Sequence, residues 1–396
     1  MPGPSGRGGA AAVREYEAVI ARVEELARGL GLRFDPVVFR MSEAEEIAEV
    51  ASMGLPNRFV HWYWGGAYKE IRLQQDKSLL SILELVLNSR PAYAFLRRSN
   101  TYLQNVLVIA HVYGHADFFA NNHWFRKSNK NMLNESERHA RTFRAYEATV
   151  GREAVERLLD ACLTVATSVN AFERDPTRRR RRLVYFLEEH APLEPYEREV
   201  LQAVREEAEY FDLIQRTHVT NEGWATFVEA TLLRELLSPR EWAEVCVHLC
   251  ARPAPYTLGY TLFRAVRNRG GLQAALQARR YYEDVRLIDE TLTQELVDRL
   301  DLFVYDPRDR SRNTNVDAVK EMLIEQKLYR GEPRIEVEDP DHPRDLVLVH
   351  TEEGRKLDPR RIALYLKAVH GLWRHPVRLR ANGKLYTYDR RGLSTS

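Results

Sequence analysis

The sequence predicts a mainly α-helical protein, with a large helical domain followed by a small α+β domain. Apolar residues recur at the 3.6-residue spacing of amphipathic helices along most of the chain up to residue 302. After residue 305 the composition becomes strongly charged, and short segments of alternating apolar and polar residues follow. The chain has 396 residues, of which 44% are hydrophobic, so it can bury one large core and carry a second small domain.

We predict four segments from these changes in composition. Residues 1–12 are rich in Gly, Pro and Ala and form a disordered tail, and residues 13–305 form the helical domain. Residues 306–315 form a charged linker, and residues 316–390 form the α+β domain.

The first predicted helices have recognisable ends. The helix over residues 13–31 ends at Gly29 and Gly31, and the helix over residues 42–53 begins with a capping box of Ser42 and Glu45. The helix over residues 102–119 follows the polar residues 99–101, which suit a helix cap. The 3.6-residue period predicts further helices over residues 79–88, 134–150, 153–169, 194–210, 215–237, 239–250, 261–266, 272–289 and 290–302.

The predicted C-terminal domain mixes helices and strands. Helices are predicted over residues 316–326 and 360–372, the second one after Asp358 and Pro359. Alternating patterns predict strands over residues 334–338 and 346–351. A hairpin of residues 376–379 and 384–388 is expected to turn at Asn382-Gly383.

Charge and cysteine content limit the partners and the compartment. The 59 basic and 57 acidic residues nearly balance, so we expect no nucleic-acid partner. The three cysteines are too few and too unevenly spaced for a disulfide framework, which favours a reducing compartment. No stretch is long and apolar enough for a signal peptide or a membrane span. We therefore expect a cytoplasmic protein.

Two local patterns allow more than one interpretation. Arg178 to Arg182 are five consecutive arginines, which could bind a phosphate, a nucleic acid or an acidic glycan. A single run of this kind is more typical of a solvated helix start or loop. The aromatic residues Phe59, Trp62, Tyr63 and Trp64 surround His61, and this density predicts a buried cluster rather than a ligand cage.

The residues most suggestive of chemistry are two histidines and a distant glutamate. His111 and His115 stand one helical turn apart in His-Val-Tyr-Gly-His, so their imidazoles can meet on one side of a helix. Glu222, in Asn-Glu-Gly-Trp-Ala, is the expected third ligand. This set resembles the gluzincin-like site of zinc peptidases, which has three protein ligands and one open position. Zinc is the first expectation, although two imidazoles and a carboxylate also suit other divalent metals.

The general base of those peptidases is missing here. They carry a glutamate directly after the first histidine, whereas this chain has Val112, which cannot take a proton. His218 and Glu229 share a helix face with Glu222, so either of them can replace the base. His218 could instead be a fourth ligand that closes the site, and Glu229 could instead support a ligand from behind. Tyr260 is a further catalytic candidate. Three more residues are predicted to support the ligands from behind: Asp117, Asn221 and His61.

These motifs and several others resemble those of the SpoVR family, named for stage V sporulation protein R. Motifs along nearly the whole chain after about residue 15 carry the resemblance: residues 59–64, 88–94, 110–122, 221–225, 259–263 and 372–379. The resemblance implies a cytosolic, mostly helical protein connected with formation of the spore cortex or the cell envelope. It does not by itself supply a reaction.

Two functions remain open from the sequence. The first is a metal-dependent amide hydrolase that acts on a peptide or a peptidoglycan precursor. The second is a non-catalytic regulator or scaffold, in which the His/Glu cluster is structural and the C-terminal domain recruits a protein partner.

Overall fold

The structure is a computed structural model that describes residues 13–65, 69, 85–306, 310–329, 333–341, 345–351 and 356–396. Helices dominate it and strands form small sheets, which confirms the predicted mainly α class with an α+β part near the C-terminus. The tail predicted at residues 1–12 lies outside the described residues. The same holds for residues 79–84 of the helix predicted over residues 79–88.

The elements follow one another in a helix-rich order. Up to residue 216 they are α1 (Glu17–Gly29), β1 (Val37–Ser42), α2 (Ala44–Met53), β2 (Leu85–Leu87), β3 (Ala92–Arg97), α3 (Tyr102–Asn121), α4 (Met132–Val150), α5 (Arg152–Ala166), α6 (Pro176–Arg180), α7 (Leu183–His190) and α8 (Pro195–Arg216). After it come α9 (His218–Leu236), α10 (Pro239–Cys250), α11 (Ala254–Tyr281), α12 (Asp284–Thr291), α13 (Gln294–Arg299), β4 (Val304–Asp306), β5 (Ser311–Asn313), α14 (Val316–Tyr329), β6 (Ile335–Val337), β7 (Leu346–His350), α15 (Pro359–Trp373), β8 (Val377–Ala381), β9 (Lys384–Asp389) and β10 (Gly392–Thr395).

The described residues form two compact units that interleave along the chain. The first unit lies within Met1–Leu133 and Arg216–Leu328, and the second within Asn134–Gln215 and Tyr329–Ser396. The sequence had predicted consecutive domains separated by a linker at residues 306–315. That linker instead contains strand residues, because β4 and β5 pair as an antiparallel hairpin with Tyr305 opposite Arg312. The composition of the sequence shows where the chain is charged, but it does not show which helices that are distant in sequence pack together.

Three helices form the centre of the first unit. α9 packs against both α3 and α11. In α3 every residue from Asn105 to Phe119 is buried, so this helix is enclosed on all sides and shows no polar face. It begins at Thr101, whose side chain and that of Gln104 cap each other's backbone N–H groups, as the polar stretch before it predicted.

A small sheet in the first unit was missed by the sequence patterns. β1 runs parallel to β3, and β2 pairs antiparallel with β3, so residues 85–87 are a strand rather than the end of the predicted helix. In β3 the buried positions are Ala92, Ala94 and Leu96, whereas Tyr93 and Phe95 are partly exposed. Because alanines occupy the inward positions, the alternation of large apolar residues that marks a strand is absent.

The start of α2 also differs from the prediction. Ser42 does not form the expected capping box with Glu45, and Glu43 is the N-cap residue. Ser42 belongs to β1, where it pairs with Arg97, and its carbonyl accepts from Arg98 N at 3.0 Å. Ser42 therefore belongs to strand β1, although the capping pattern predicted it at the start of helix α2.

The aromatic segment near residue 60 is buried only in part. Phe59 and His61 are buried, as predicted. Trp62 is 65% exposed and Tyr63 is 56% exposed, so they do not belong to the core.

The second unit contains the C-terminal sheet, whose strand order is β10-β9-β8-β7-β6. The pair of β7 and β8 is parallel, and α15 connects these two strands and packs against α5. β8 and β9 form the predicted hairpin, and both of its turn residues, Asn382 and Gly383, have positive φ. This part of the chain is the α+β region that the sequence predicted.

The arginine run has a structural place in the second unit. Arg179 pairs with Glu209 at 3.0 Å, and Arg182 pairs with Glu336 at 3.5 Å. The carbonyl of Arg181 also accepts from Val337 N at 2.8 Å, which joins the run to β6. These contacts favour the interpretation of the run as part of the fold rather than as a binding surface.

Candidate metal centre

The three predicted ligands lie together in the first unit. His111 and His115 project from α3, and Glu222 projects from α9. Glu222 Oε2 lies 3.5 Å from Nε2 of His111 and 3.5 Å from Nε2 of His115. One ligand atom from each of the three residues lies within 4.8 Å of the other two, which is close enough to surround one cation.

Glycines allow the helices to approach each other at this point. A Cβ atom added to Gly114 would lie 2.6 Å from Cα of Ala225, so α3 and α9 are in backbone contact. A Cβ added to Gly223 would lie 2.4 Å from Cα of Gly259, so α9 and α11 touch in the same way. Both distances are shorter than a carbon–carbon contact allows. The small residues inside the two motifs therefore set the spacing between the helices that carry the ligands.

Each imidazole is oriented by an acceptor at its other nitrogen. His111 Nδ1 lies 2.8 Å from Glu229 Oε2, and His115 Nδ1 lies 3.0 Å from Asn221 Oδ1. A carboxylate and an amide oxygen accept hydrogen bonds, so each Nδ1 carries the proton and donates it. Each Nε2 then presents a lone pair towards Glu222. This is the usual arrangement of histidines that bind a metal through Nε2.

In this geometry Glu229 orients the ring of His111. Its predicted catalytic role stays a prediction. Its side chain is fully buried, and Arg252 Nη2 pairs with Glu229 Oε2 at 2.9 Å. Arg252 Nη1 also lies 3.0 Å from His111 Nδ1 and 3.3 Å from Thr226 Oγ1. Nδ1 can donate to the carboxylate or accept from the guanidinium, but not both, and the carboxylate is the closer partner. The sequence did not predict Arg252, which follows α10 without a motif around it.

His218 lies on the exposed side of the cluster. It begins α9 one turn before Glu222, and its Nε2 lies 3.9 Å from Glu222 Oε1. Its side chain is 44% exposed, whereas that of Glu222 is 13% exposed. His218 thus lies at Oε1, on the opposite side of the carboxylate group from the oxygen that faces the two buried rings.

The electrostatics of Glu222 suit an anionic ligand. Burial raises the pKa of Glu222, but His115 and His111 in their protonated forms lower it by more, so in that state its pKa lies well below the usual range. A bound cation would take the place of the two Nε2 protons and leave both Nε2 lone pairs free to bind it. Within the described part of the chain, its Oε2 atom is buried and has no hydrogen-bond donor. A buried, ionised oxygen opposite two imidazole nitrogens matches the donor set of a zinc ion. The residues present therefore fit a metal.

Asp117, predicted as a support of the ligands, links helices instead of touching the ligand rings in the contacts observed. Its Oδ2 accepts from Trp224 Nε1 at 3.0 Å and pairs with Arg279 Nε at 2.9 Å. Its Oδ1 accepts from Arg33 N at 2.9 Å. Burial raises the pKa of Asp117 to about 6 in spite of the charge of Arg279. Asp117 thereby holds α3 against α9 and α11.

Two other predicted residues lie in different surroundings. The ring of His61 lies 5.4 Å from that of Trp62 in a tilted arrangement, and its Nδ1 accepts from Tyr63 N at 3.3 Å, so its support of the ligands stays a prediction. Tyr260 lies on α11 and lines a separate cavity together with Trp242. Its catalytic role also stays a prediction.

Comparison with known proteins identifies the family. The family model described as "SpoVR like protein" matches residues 11–182 and 170–330. The chain belongs to the SpoVR family. A relative in Escherichia coli (strain K12), called "Uncharacterized protein YcgB", is 24% identical over 463 aligned positions, which cover 92% of this chain and 91% of the relative. No solved structure matches the chain.

Membership confirms the resemblance that the motifs indicated. The matched region of this SpoVR chain includes both helices that carry His111, His115 and Glu222, and also Arg252.

Proposed function

We propose that this SpoVR-family protein is a metal-dependent amide hydrolase that holds one zinc ion with His111, His115 and Glu222. The observation that carries the proposal is the orientation of both rings. Glu229 and Asn221 accept from the two Nδ1 atoms, which leaves both Nε2 atoms facing an ionised carboxylate oxygen. Two histidines and one glutamate leave an open coordination position, which catalysis requires.

When bound, zinc would polarise an amide carbonyl and lower the pKa of a coordinated water molecule. The side chains of this protein would supply proton transfer and orientation. His218 is partly exposed beside Glu222 and is the residue that we propose to accept and return the proton. Val112 is fully buried and apolar, so it takes no part in proton transfer. Glu229, which is tied to Arg252, keeps His111 in its orientation.

The proposed substrate is an amide bond in a peptide or a peptidoglycan precursor. Support comes from the peptidase-like ligand set and from the connection with the spore cortex or cell envelope that the family name implies. We further propose that the protein works in the cytoplasm, where soluble precursors rather than the assembled wall are accessible. A protein partner of the second unit would be compatible with this role.

The second candidate is a non-catalytic regulator with a structural metal site. It is favoured by one observation, the valine at position 112 where zinc peptidases have their glutamate base. In this alternative His218 would complete the coordination of the metal and close the site.

Metal analysis of protein purified without added metal tests the ligand set. We expect close to one equivalent of zinc in the wild type and less than a tenth of that in the His111→Ala/His115→Ala double variant. His139→Ala is the matched control, because His139 is also buried and bound to a carboxylate, Glu207, at 3.0 Å in the second unit. Equal metal in the wild type and the double variant would remove the proposed site.

Turnover separates the two candidates. Zinc-loaded wild type should release amines from a mixed peptide library or from soluble peptidoglycan precursor pentapeptides. His218→Ala should keep its zinc and lose about 100-fold in rate, the usual contribution of a general base. If His218→Ala loses zinc instead, or if the loaded wild type cleaves none of these substrates, the structural alternative is supported and the hydrolase is not.

A further inference from the structure

A second cavity in the first unit has an aromatic wall. It has a volume of about 770 Å³ and lies among α9, α10 and α11. Phe227, Trp242 and Tyr260 contribute rings to its lining. Its lining does not include His111, His115 or Glu222, so it is a different site from the metal centre.

Three exposed arginines face this cavity without an acidic partner. Arg234, Arg264 and Arg267 line it, and among the described residues no carboxylate lies within ion-pair distance of any of them. Arg264 lies 5.5 Å from the ring of Tyr260, and Arg267 lies 5.6 Å from the ring of Phe227. By contrast, the exposed Arg157 on another helix does pair with a carboxylate, that of Glu153, at 2.5 Å.

The positive charge continues into an adjoining cavity. This smaller cavity, of about 260 Å³, shares Arg264 and Asn268 with the first one and adds Arg269 and Arg299. The two linings together contain five arginines and two glutamates, and one of these arginines, Arg299, pairs with Glu295 at 2.5 Å. The whole chain has a net charge of only +2, so positive charge is concentrated at this place.

We propose that these two neighbouring cavities together bind a nucleoside polyphosphate, with its base on the aromatic wall and its phosphates on the arginines. A guanidinium group can donate two parallel hydrogen bonds to the oxygens of a phosphate, and an aromatic ring can stack on any nucleobase. A free phosphate would leave the aromatic wall unused, and an uncharged aromatic molecule would leave the arginines unused. The larger cavity falls within the range of 300–1,000 Å³ that is typical of small-ligand sites.

The size and charge of the site favour a mononucleotide over a nucleic acid. A polymer requires a basic surface that extends over many phosphates, and it makes binding strongly dependent on salt. Here the linings of the two neighbouring cavities contain five arginines and two glutamates, which is fewer positive charges than a polymer would engage. An oligonucleotide is therefore the competitor that the experiment has to exclude.

Calorimetric titration of the full chain with ATP, GTP, CTP and UTP tests the proposal. At least one of the four should bind saturably, and adenosine and inorganic pyrophosphate should each bind at least tenfold more weakly than the best of them. The titrations are repeated after removal of metal with a chelator, so that a failure of the metal site does not affect the result. No binding of any of the four, equal affinity for pyrophosphate, or tighter binding of a single-stranded oligonucleotide would overturn the proposal.

Two variants assign the two halves of the site. Arg264→Glu/Arg267→Glu should weaken binding of the best nucleotide at least 100-fold, whereas Arg126→Glu, at an exposed arginine outside both cavities, should leave it unchanged. Trp242→Ala should weaken nucleotide binding about tenfold and leave pyrophosphate binding unaltered. Circular dichroism checks that each variant is folded. A folded double arginine variant with wild-type affinity would contradict the assignment.

Discussion

At the scale of single residues, the geometry of the metal centre depends on which nitrogen of each imidazole carries the proton. Glu229 and Asn221 serve different histidines, but both accept from Nδ1 and thereby direct Nε2 towards Glu222. The two supports differ in charge. Glu229 is ionisable and paired with Arg252, whereas Asn221 is neutral, so the two rings experience different fields.

Replacement of Glu229 by Gln tests this support directly. The amide oxygen can still accept from His111 Nδ1, but the charge that balances Arg252 is lost. We expect the affinity for zinc to fall about tenfold, at the lower end of the range for changes to residues that orient a metal-binding histidine. Competition with a chromophoric chelator measures it.

Glu207→Gln is the control for this variant. Glu207 is also a buried carboxylate that accepts from a histidine Nδ1, at His139, but it belongs to the second unit. Its variant should bind zinc as the wild type does. Unchanged affinity in Glu229→Gln would show that the negative charge of Glu229 does not contribute to zinc binding.

Sequence patterns could identify ligand candidates but not all of their supports. The one-turn spacing of His111 and His115 places both side chains on the same side of a helix. The motif around Glu222 resembles the one that supplies the glutamate ligand in zinc peptidases. Arg252 gives no such signal, because it follows the end of α10 and reaches His111 only through the packing of helices that are distant in sequence.

At the scale of elements, two close helix crossings determine the geometry of the site. α9 touches α3 at Gly114 and α11 at Gly223, and Glu222 lies directly beside the second contact. A shift of α9 at either crossing would move the carboxylate away from the two rings. Stability and metal affinity should therefore change together when a crossing is disturbed.

Gly223→Ala should disturb one crossing. The added methyl group would lie against the backbone of Gly259, which cannot rotate away, so we expect a loss of about 2 kcal/mol in the free energy of unfolding and weaker zinc binding. Urea denaturation and the chelator competition measure the two effects.

Gly371→Ala is the matched control, because Gly371 lies inside α15 and nothing lies within 4 Å of its added Cβ. This variant should gain about 0.5–1 kcal/mol from the higher helix propensity of alanine. A Gly223→Ala protein that is as stable as Gly371→Ala would refute the close crossing.

Helices α3 and α9 were predicted closely because their periodicity extends over many residues. α11 was not, because it runs from Ala254 to Tyr281 with a break at Gly271, whereas the pattern predicted separate helices over residues 261–266 and 272–289. Short strands were not, because pairing partners rather than local pattern define them. β1 owes its existence to the parallel contact with β3, where Val37 lies opposite Ala92. Ser42 is a similar case, because its residue type suits a helix cap but it pairs with Arg97 in a strand.

At the scale of the whole molecule, the chain order and the packing order differ. Residues 134–215 pack with the C-terminal sheet rather than with the helices on either side of them in sequence. The composition of the sequence does not reveal such an arrangement. The sequence could therefore predict an α+β part near the C-terminus, but not that the helices of residues 134–215 belong to the same unit. No described helix is both long and apolar enough to cross a lipid bilayer.

Metal binding should stabilise the folded protein if the three ligands converge only in the native state. At a free zinc concentration 100 times the dissociation constant, the expected gain is about 2.7 kcal/mol. Thermal unfolding should therefore shift to higher temperature with zinc and to lower temperature with EDTA.

The His111→Ala/His115→Ala variant serves as the reference for that shift. Its unfolding temperature should respond to neither addition. If zinc raises the temperature equally in the variant and the wild type, the metal binds somewhere other than the proposed centre.

X-ray absorption at the zinc edge of the purified wild-type protein measures the proposed ligand set itself. We expect nitrogen and oxygen neighbours at about 2.0–2.1 Å, with the outer scattering of two imidazoles and no sulfur at about 2.3 Å. That imidazole signal should disappear in His111→Ala/His115→Ala. Sulfur neighbours, or an imidazole signal that survives in the double variant, would rule out zinc binding by His111, His115 and Glu222.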